Sequence, residues 1–256
     1  GGGVLEPINK SFRGCKNEKI RYNSDIAGYK YGEELKMKRG FTLAEVLVTL
    51  GIIGVVSAMT VPTLMQNYQR KSYVTQLHKF YTELSQALIQ YQTDKNAVNL
   101  REAGFTSDDN IYQFMKSYFK IVQDCGTDRT PCFPDEYRKL SGITTREGWA
   151  AKRHYVLANA AIGTYYRSDA GNVLSEFWID INGQQGPNVV GRDLFILYLY
   201  KNGILDDYIY STDCTDAPLT EDCREFNYTT YCISDRATNL HGCFGKLLND
   251  NWEMTY

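Results

Sequence analysis

Several features are missing from this sequence, and each omission removes a class of function. No basic run occurs beyond short pairs such as Arg70-Lys71, and the formal net charge is −2, so composition gives no sign of nucleic acid as a partner. There is no C-x-x-C, and none of the three histidines, His78, His154 and His241, forms a ligand cluster with cysteine, so no zinc set is recognised. G-x-S-x-G, H-E-x-x-H and the P-loop are all absent, and no nucleophile–base arrangement replaces them, so no enzyme activity is expected. A hydrophobic share of 43 % does not suit a disordered chain.

What is present begins with seven cysteines: Cys15, Cys125, Cys132, Cys214, Cys223, Cys232 and Cys243. If a leader carrying Cys15 is removed, an even number remains in an exported chain, which favours disulfides. Six cysteines allow about 15 pairings. Closeness in sequence favours Cys125–Cys132, Cys214–Cys223 and Cys232–Cys243, loops worth about 2.5 kcal/mol each. The sequence starts Gly-Gly-Gly, and Met37 is the expected translation start. Residues 1–36 are polar and aperiodic, either upstream sequence or part of a long leader covering 1–40.

Residues 41–61 are apolar with one charge, Glu45, and Lys36, Lys38 and Arg39 stand just before them. As a helix the segment would span about 31 Å, the hydrocarbon core of a bilayer, with its N-terminal side cytoplasmic. The helical pattern does not stop there. Tyr73, Leu77, Phe80, Leu84, Leu88 and Tyr91 follow at spacings of three and four, an apolar stripe on a continuing helix. One helix is therefore expected over 41–95, bent by Pro62. Its first half is apolar all round and its second half amphipathic. Glu45 is costly in lipid, though less so near the helix end. Cleavage between Gly40 and Phe41 would create an α-amine one helical turn away. Opposite charges at 4 Å attract by about 4 kcal/mol at an effective dielectric of 20, whether the amine belongs to the same chain or to a neighbour.

Gly40-Phe41-Thr42-Leu43-Ala44-Glu45, with a basic leader before it and an apolar helix after it, resembles the prepilin cleavage and methylation motif of type IV prepilins and type II secretion pseudopilins. Pro62 also falls where such proteins carry a helix-kinking proline. The resemblance implies that a prepilin peptidase cleaves after Gly40 and methylates the Phe41 amine, and that Glu45 docks the subunit into a growing filament. It implies a pilin-like fold, with other pilin subunits, an inner-membrane assembly platform and membrane lipid as partners. The location implied is the bacterial inner membrane, with a cytoplasmic N-terminus and an exported C-terminal domain, and then an extracytoplasmic filament.

The exported part, 96–256, reads as α+β. Thr106, Ser107, Asp108 and Asp109 offer N-caps for a second helix, whose apolar face would carry Ile111, Phe114, Met115, Tyr118, Phe119 and Val122. Short strands are expected over 155–159 and 162–167, a turn over 168–172, a half-buried alternating strand over 173–181 and another strand over 193–200. Asn202-Gly203 is a hairpin turn. The expected product is an antiparallel sheet of three or four strands under the amphipathic half of the long helix. Acidic pairs such as Asp206-Asp207 read as solvated turns.

"DINGQQGPNVVGRD", 180–193, offers Asp180, Asn182 and Asp193 as oxygen donors for calcium. Gln185 and Gly191 stand where an EF-hand needs glycine and glutamate. The plainer expectation is a glycine-rich loop in which Asp193 caps backbone amides, with no cofactor. This stretch and "HGCFGKLLNDNWEMTY" resemble the exported domains of bacterial pilin-like proteins, and some major pseudopilins bind calcium in a C-terminal loop. The functional expectation is thus a filament subunit of a type IV pilus or type II secretion pseudopilus. Two rivals stand beside it. One is a secreted disulfide-stabilised binding module whose ordinary signal peptide is cut after Ala58, in Val56-Ser57-Ala58. The other is an anchored hydrolase.

Overall fold

The computed structural model describes residues 40–145, 148–158, 160–168, 171–208, 214–236 and 238–256. The expected leader with Lys36, Lys38, Arg39 and Cys15 lies outside the described residues, as do Asn159 and the centre of the 168–172 turn. The chain divides into two units, Gly1–Gly51 and Ile52–Tyr256. Helix α1, Leu43–Asp94, starts in the first unit. There the described residues, 40–51, are all exposed.

In the second unit, residues 52–69 of α1 are likewise exposed, and burial begins at Val74. Val74, Leu77, Phe80, Leu84, Leu88 and Tyr91 are buried, the spacing of one helical face. Val74 takes the place expected for Tyr73, which sits half-buried at the rim with its hydroxyl 3.4 Å from Asn182 Nδ2. The helix ends on Asn96 at φ 50°. The Asn96 amide donates to Thr93 O at 2.9 Å and the Ala97 amide to Gln92 O at 3.0 Å, which satisfies carbonyls that a helix end leaves open. Helix α2, Leu100–Ala103, is a single turn between the Asn99 cap and Gly104. Helix α3, Asp108–Tyr118, starts at Ser107, whose hydroxyl accepts from the Asn110 amide at 3.2 Å, and buries Ile111, Phe114 and Met115. Val122, expected on that face, is exposed.

Strands β1 (Gln123–Gly126), β2 (Tyr137–Arg138), β3 (Thr144–Thr145), β4 (Arg153–Val156), β5 (Ala161–Tyr166), β6 (Val173–Asp180), β7 (Leu194–Tyr200) and β8 (Leu205–Asp206) follow. β2 and β3 form a small hairpin; the others make one sheet in the order β1-β4-β5-β6-β7-β8, with every pair antiparallel. The fold is α+β, a long N-terminal helix followed by an antiparallel sheet. The sheet has six strands where three or four were expected. The two added strands, β1 and β8, lie at the edges and span four and two residues, too short to show an alternating pattern. Helix α4 (Glu221–Asn227), a π-helical turn (Tyr228–Cys232) and helix α5 (Cys243–Asn249) close the chain.

β6 departs from expectation in a second way: every residue is buried, so both faces are covered. Phe177 and Ile179 belong to the core cluster that also holds Leu77, Phe80 and Leu84 of α1. On the other face, Glu176 pairs with Arg167 and accepts the Trp178 indole N–H at 2.9 Å. Trp178 packs on Trp149 with ring centroids 4.5 Å apart, and Asp180 accepts the Tyr137 hydroxyl. The residues that alternation marked as outward are thus buried polar groups with partners, as burial requires.

Asp206 and Asp207 also correct the sequence reading, since both are fully buried. Asp206 takes a forked pair from Arg224, at 2.9 and 2.6 Å, and the Leu219 amide at 2.8 Å. Asp207 accepts the amides of Tyr208, Gly242 and Gly245 at 2.7, 3.1 and 2.8 Å. Lys139, 1 % exposed, sends its ammonium to Tyr231 O, Ser234 Oγ, Arg236 O and Asn239 O. These buried charges order the C-terminal segment, which has little regular structure of its own.

Because the α1 stripe is part of the core, truncating it is expected to unfold the second unit more readily. Phe80→Ala should cost about 3–5 kcal/mol in denaturant titrations of the detergent-solubilised chain followed by tryptophan fluorescence. Ile89→Ala, at a position 68 % exposed, should change stability by no more than about 0.5 kcal/mol.

Candidate functional site

The residues that the sequence singles out at the head of α1 form a compact local structure. Gly40 and Phe41 precede the helix, and Phe41 is 87 % exposed. Thr42 is the helix cap: its hydroxyl accepts the Glu45 amide at 3.2 Å, and its carbonyl accepts the Val46 amide at 3.1 Å. Glu45 reaches back, its Oε2 accepting the Thr42 amide at 2.8 Å and the Thr42 hydroxyl at 3.0 Å. This reciprocal arrangement is a capping box, in which two backbone donors at a helix start satisfy each other's side chains. The signal for Thr42 was in the sequence as T-x-x-E. The carboxylate uses one oxygen, and no donor meets Oε1 among the described residues.

Beyond the box, residues 46–69 carry no charge, 24 positions in succession. The most apolar window of 18 residues in α1 has a mean hydropathy of 2.0, and none of it is buried. Leu47, Leu50, Ile52, Ile53, Val55 and Met59 are each more than half exposed. An apolar surface this large is unusual in a water-soluble chain, and its length suits a membrane span. Polar groups within it are internally bonded: the hydroxyls of Thr49, Thr60 and Thr63 donate to carbonyls three or four residues back, as a lipid environment demands. Pro62 lies inside α1, where it can offer no N–H to the Ala58 carbonyl. Ala58, the cut site of an ordinary signal peptide, also lies within the helix.

The six cysteines beyond α1 are joined as Cys125–Cys132, Cys214–Cys223 and Cys232–Cys243. The first closes the loop after β1. The other two bracket α4 and the π-helical turn, tying them to the chain on either side.

The 180–193 loop is organised by its carboxylates. Asp180 Oδ1 accepts the Asn182 and Gly183 amides at 3.1 and 2.8 Å, and its Oδ2 accepts the Tyr137 hydroxyl. Asp193 accepts the Asn188 and Val189 amides, both at 2.6 Å. All four carboxylate oxygens of Asp180 and Asp193 are therefore engaged by internal donors, whereas the buried Asn182 Oδ1 has no hydrogen-bond partner among the described residues. Asn182 turns its Nδ2 to Gly186 O at 2.9 Å. Among the described residues no group of three or more His, Cys, Asp or Glu side chains is placed to hold a metal.

Comparison with known proteins bears on the head of α1. Residues 35–61 match the family model described as the prokaryotic N-terminal methylation motif. The chain is also similar to the type II secretion system core protein G of Pectobacterium carotovorum subsp. carotovorum, 34 % identical over 74 residues, which is 29 % of this chain and 47 % of that protein. The chain thus spans about half the length of this curated relative. No solved structure matches it. Both matches agree with the resemblance to prepilins and pseudopilins carried by Gly40, Phe41 and Glu45.

The loop makes its own prediction. Burial, with Asp193 nearby, pushes the Asp180 carboxyl up from its ordinary 3.8 to about 7. A carboxyl whose folded pKa is raised holds its proton longer in the folded state, so its stabilising contribution is complete below about pH 4 and is lost as pH rises through 7. Asp180→Asn keeps the shape and the amide bonds while removing this titration. The stability difference, parent minus variant, should therefore fall between pH 4 and pH 8 in thermal melts. A difference that is flat across that range would contradict the assignment.

Proposed function

Taking a prepilin-type N-terminus at residues 35–61 as the premise, we propose that the chain is a structural subunit of a type IV pilus-like filament or a type II secretion pseudopilus. It is anchored in the bacterial inner membrane by residues 41–61, with its N-terminus cytoplasmic and residues 96–256 exported. Prepilin peptidase cleaves between Gly40 and Phe41 and methylates the new amine. The subunit then leaves the membrane for the filament through its N-terminal helix, on an inner-membrane assembly platform, and catalyses nothing itself.

The observation that carries this reading is the capping box at the head of an exposed, uncharged helix. Cleavage after Gly40 leaves the box whole, because the Thr42 amide belongs to the Phe41–Thr42 peptide bond. The box holds Glu45 by Oε2 and leaves Oε1 to a cation. The α-amine of Phe41, from the same chain or from a neighbour, is the cation that cleavage supplies. In an apolar surrounding that pairing offsets the cost of the carboxylate. A neighbour's amine would also set the axial register of packed helices. Pro62, lacking the amide of an internal helix position, is where α1 is expected to bend.

The rival reading, a soluble binding module released after Ala58, would cut within α1 and discard the box.

Filament formation on co-expression with a prepilin peptidase and assembly platform tests the proposal. Glu45→Ala should still be cleaved after Gly40 yet enter filaments at least about tenfold less, the loss that a charge interaction of 1.4 kcal/mol or more produces. Thr42→Val keeps the carboxylate and removes only the capping hydroxyl, at a cost of about 1 kcal/mol, so its assembly should fall much less. Glu45→Ala assembling as well as the parent would refute the role given to the carboxylate.

A further inference from the structure

Where the uncharged stretch of α1 ends, two arginines converge on one cleft. Arg70 is the first charged residue after Glu45, and Arg192 lies in the turn before β7. Together with Gln69, Tyr73, Pro187 and Met254 they line a cleft of about 90 Å³. Neither guanidinium pairs with a carboxylate among the described residues. The carboxylates behind Tyr73, Asp180 and Asp193, are turned inward and fully engaged by the donors described above.

The backbone under both arginines is fixed. Arg70 stands one turn before Val74, where α1 enters the core. The turn carrying Arg192 is closed by Asp193 and by a bond from the Arg192 amide to Val189 O at 2.9 Å. Next to it, Gly191 has φ +87°, and a Cβ there would lie 2.8 Å from Cys243 Sγ. The turn is therefore packed directly on the Cys232–Cys243 disulfide.

The position along α1 indicates what such a cleft would meet. Leu64 and Met65 are the last large apolar residues of the exposed stretch, and Tyr68 beyond them is 76 % exposed, as in the aromatic belt of a membrane interface. With Glu45 at one interface, the uncharged residues 46–65 cover about 30 Å of core, and Arg70, five residues further, lies about 7.5 Å beyond it along the axis. The headgroup layer on each side of a bilayer core is about 5–8 Å thick. Arginine forks match phosphate oxygens. A water needs about 10–15 Å³ of such space, so the cleft has room for a phosphate group and not for a long polymer.

We propose that the Arg70–Arg192 cleft binds the phosphate of a membrane phospholipid, with Pro187 and Met254 as an apolar wall beside the lipid's glycerol. This rests on residues 41–61 being retained as an anchor. The lipid then fixes how deep the part of the chain beyond Arg70 sits at the membrane surface before the subunit is extracted.

Native mass spectrometry of the full chain in detergent tests this, with phosphatidylglycerol added in one arm and inorganic phosphate in the other, at physiological salt. The parent is expected to retain one phosphatidylglycerol. The Arg70→Gln/Arg192→Gln variant should retain at least about tenfold less, from the loss of two juxtamembrane charges. Lys71→Gln, which removes one charge, as Arg192→Gln alone does, at an exposed neighbour outside the cleft, should retain as much as the parent. Circular dichroism confirms that each variant is folded, and Arg192→Gln alone, at an exposed loop position, supplies a second variant. Equal retention by the double variant, or equal loss in Lys71→Gln, would overturn the proposal. So would displacement of the lipid by millimolar inorganic phosphate, which would assign the cleft to free phosphate. The intact mass in the same spectra shows whether 41–61 is present, so a missing anchor is distinguished from an empty cleft.

Discussion

From residue 46 to residue 69, α1 offers solvent no charge and buries nothing, so nothing among the described residues covers its apolar surface. The apolar area of one leucine or isoleucine left in water forgoes about 1.5–3 kcal/mol, and this stretch carries many. Lipid or packed neighbouring helices meet that demand, and both do so with hydrogen bonds already satisfied inside the helix. The capping box matters for the same reason. A helix start in an apolar surrounding has open amides, and Thr42 with Glu45 satisfies two of them while leaving one carboxylate oxygen outward.

From Val74 onward the chain meets a different demand. α1 contributes one stripe to a core shared with the sheet, and the other sheet face is closed by aromatic and ionic groups from the loops. Arg129 lies over the Trp149 ring at 4.2 Å, Trp149 packs on Trp178, and Arg167 meets Glu176. The C-terminal segment is ordered by Asp206, Asp207 and Lys139 together with two disulfides. Buried charges of this kind leave a strong penalty if one partner is removed, so they enforce one arrangement of a region with few regular elements.

Much of this was legible in the residues. The α1 stripe, the Ser107 cap of α3, and the Asn202-Gly203 turn between β7 and β8 all rest on local periodicity or turn chemistry, and local signals survive without knowledge of the fold. The T-x-x-E box is equally local, since the side chains and amides it joins lie within three residues. The misses elsewhere are tertiary. Glu176 and Asp180 alternate like solvent-facing residues, and only tertiary partners, Arg167 for Glu176 and Tyr137 for Asp180, accompany their burial. Asp206-Asp207 has the composition of a turn, and only Arg224 and the α5 amides turn it into an anchor. The donors that engage the Asp180 and Asp193 carboxylates were not legible as a set, because Tyr137 lies 43 positions from Asp180.

The central claim is that the head of α1 is at once a processing signal and a retained anchor. Its most direct test is the N-terminal sequence and intact mass of the membrane-extracted protein, expressed with and without a prepilin peptidase. The account predicts a peptidase-dependent start at Phe41 and a mass one methyl group above the unmodified chain. A soluble product starting at Met59 would contradict it, since the box, the anchor and the filament role would be removed together.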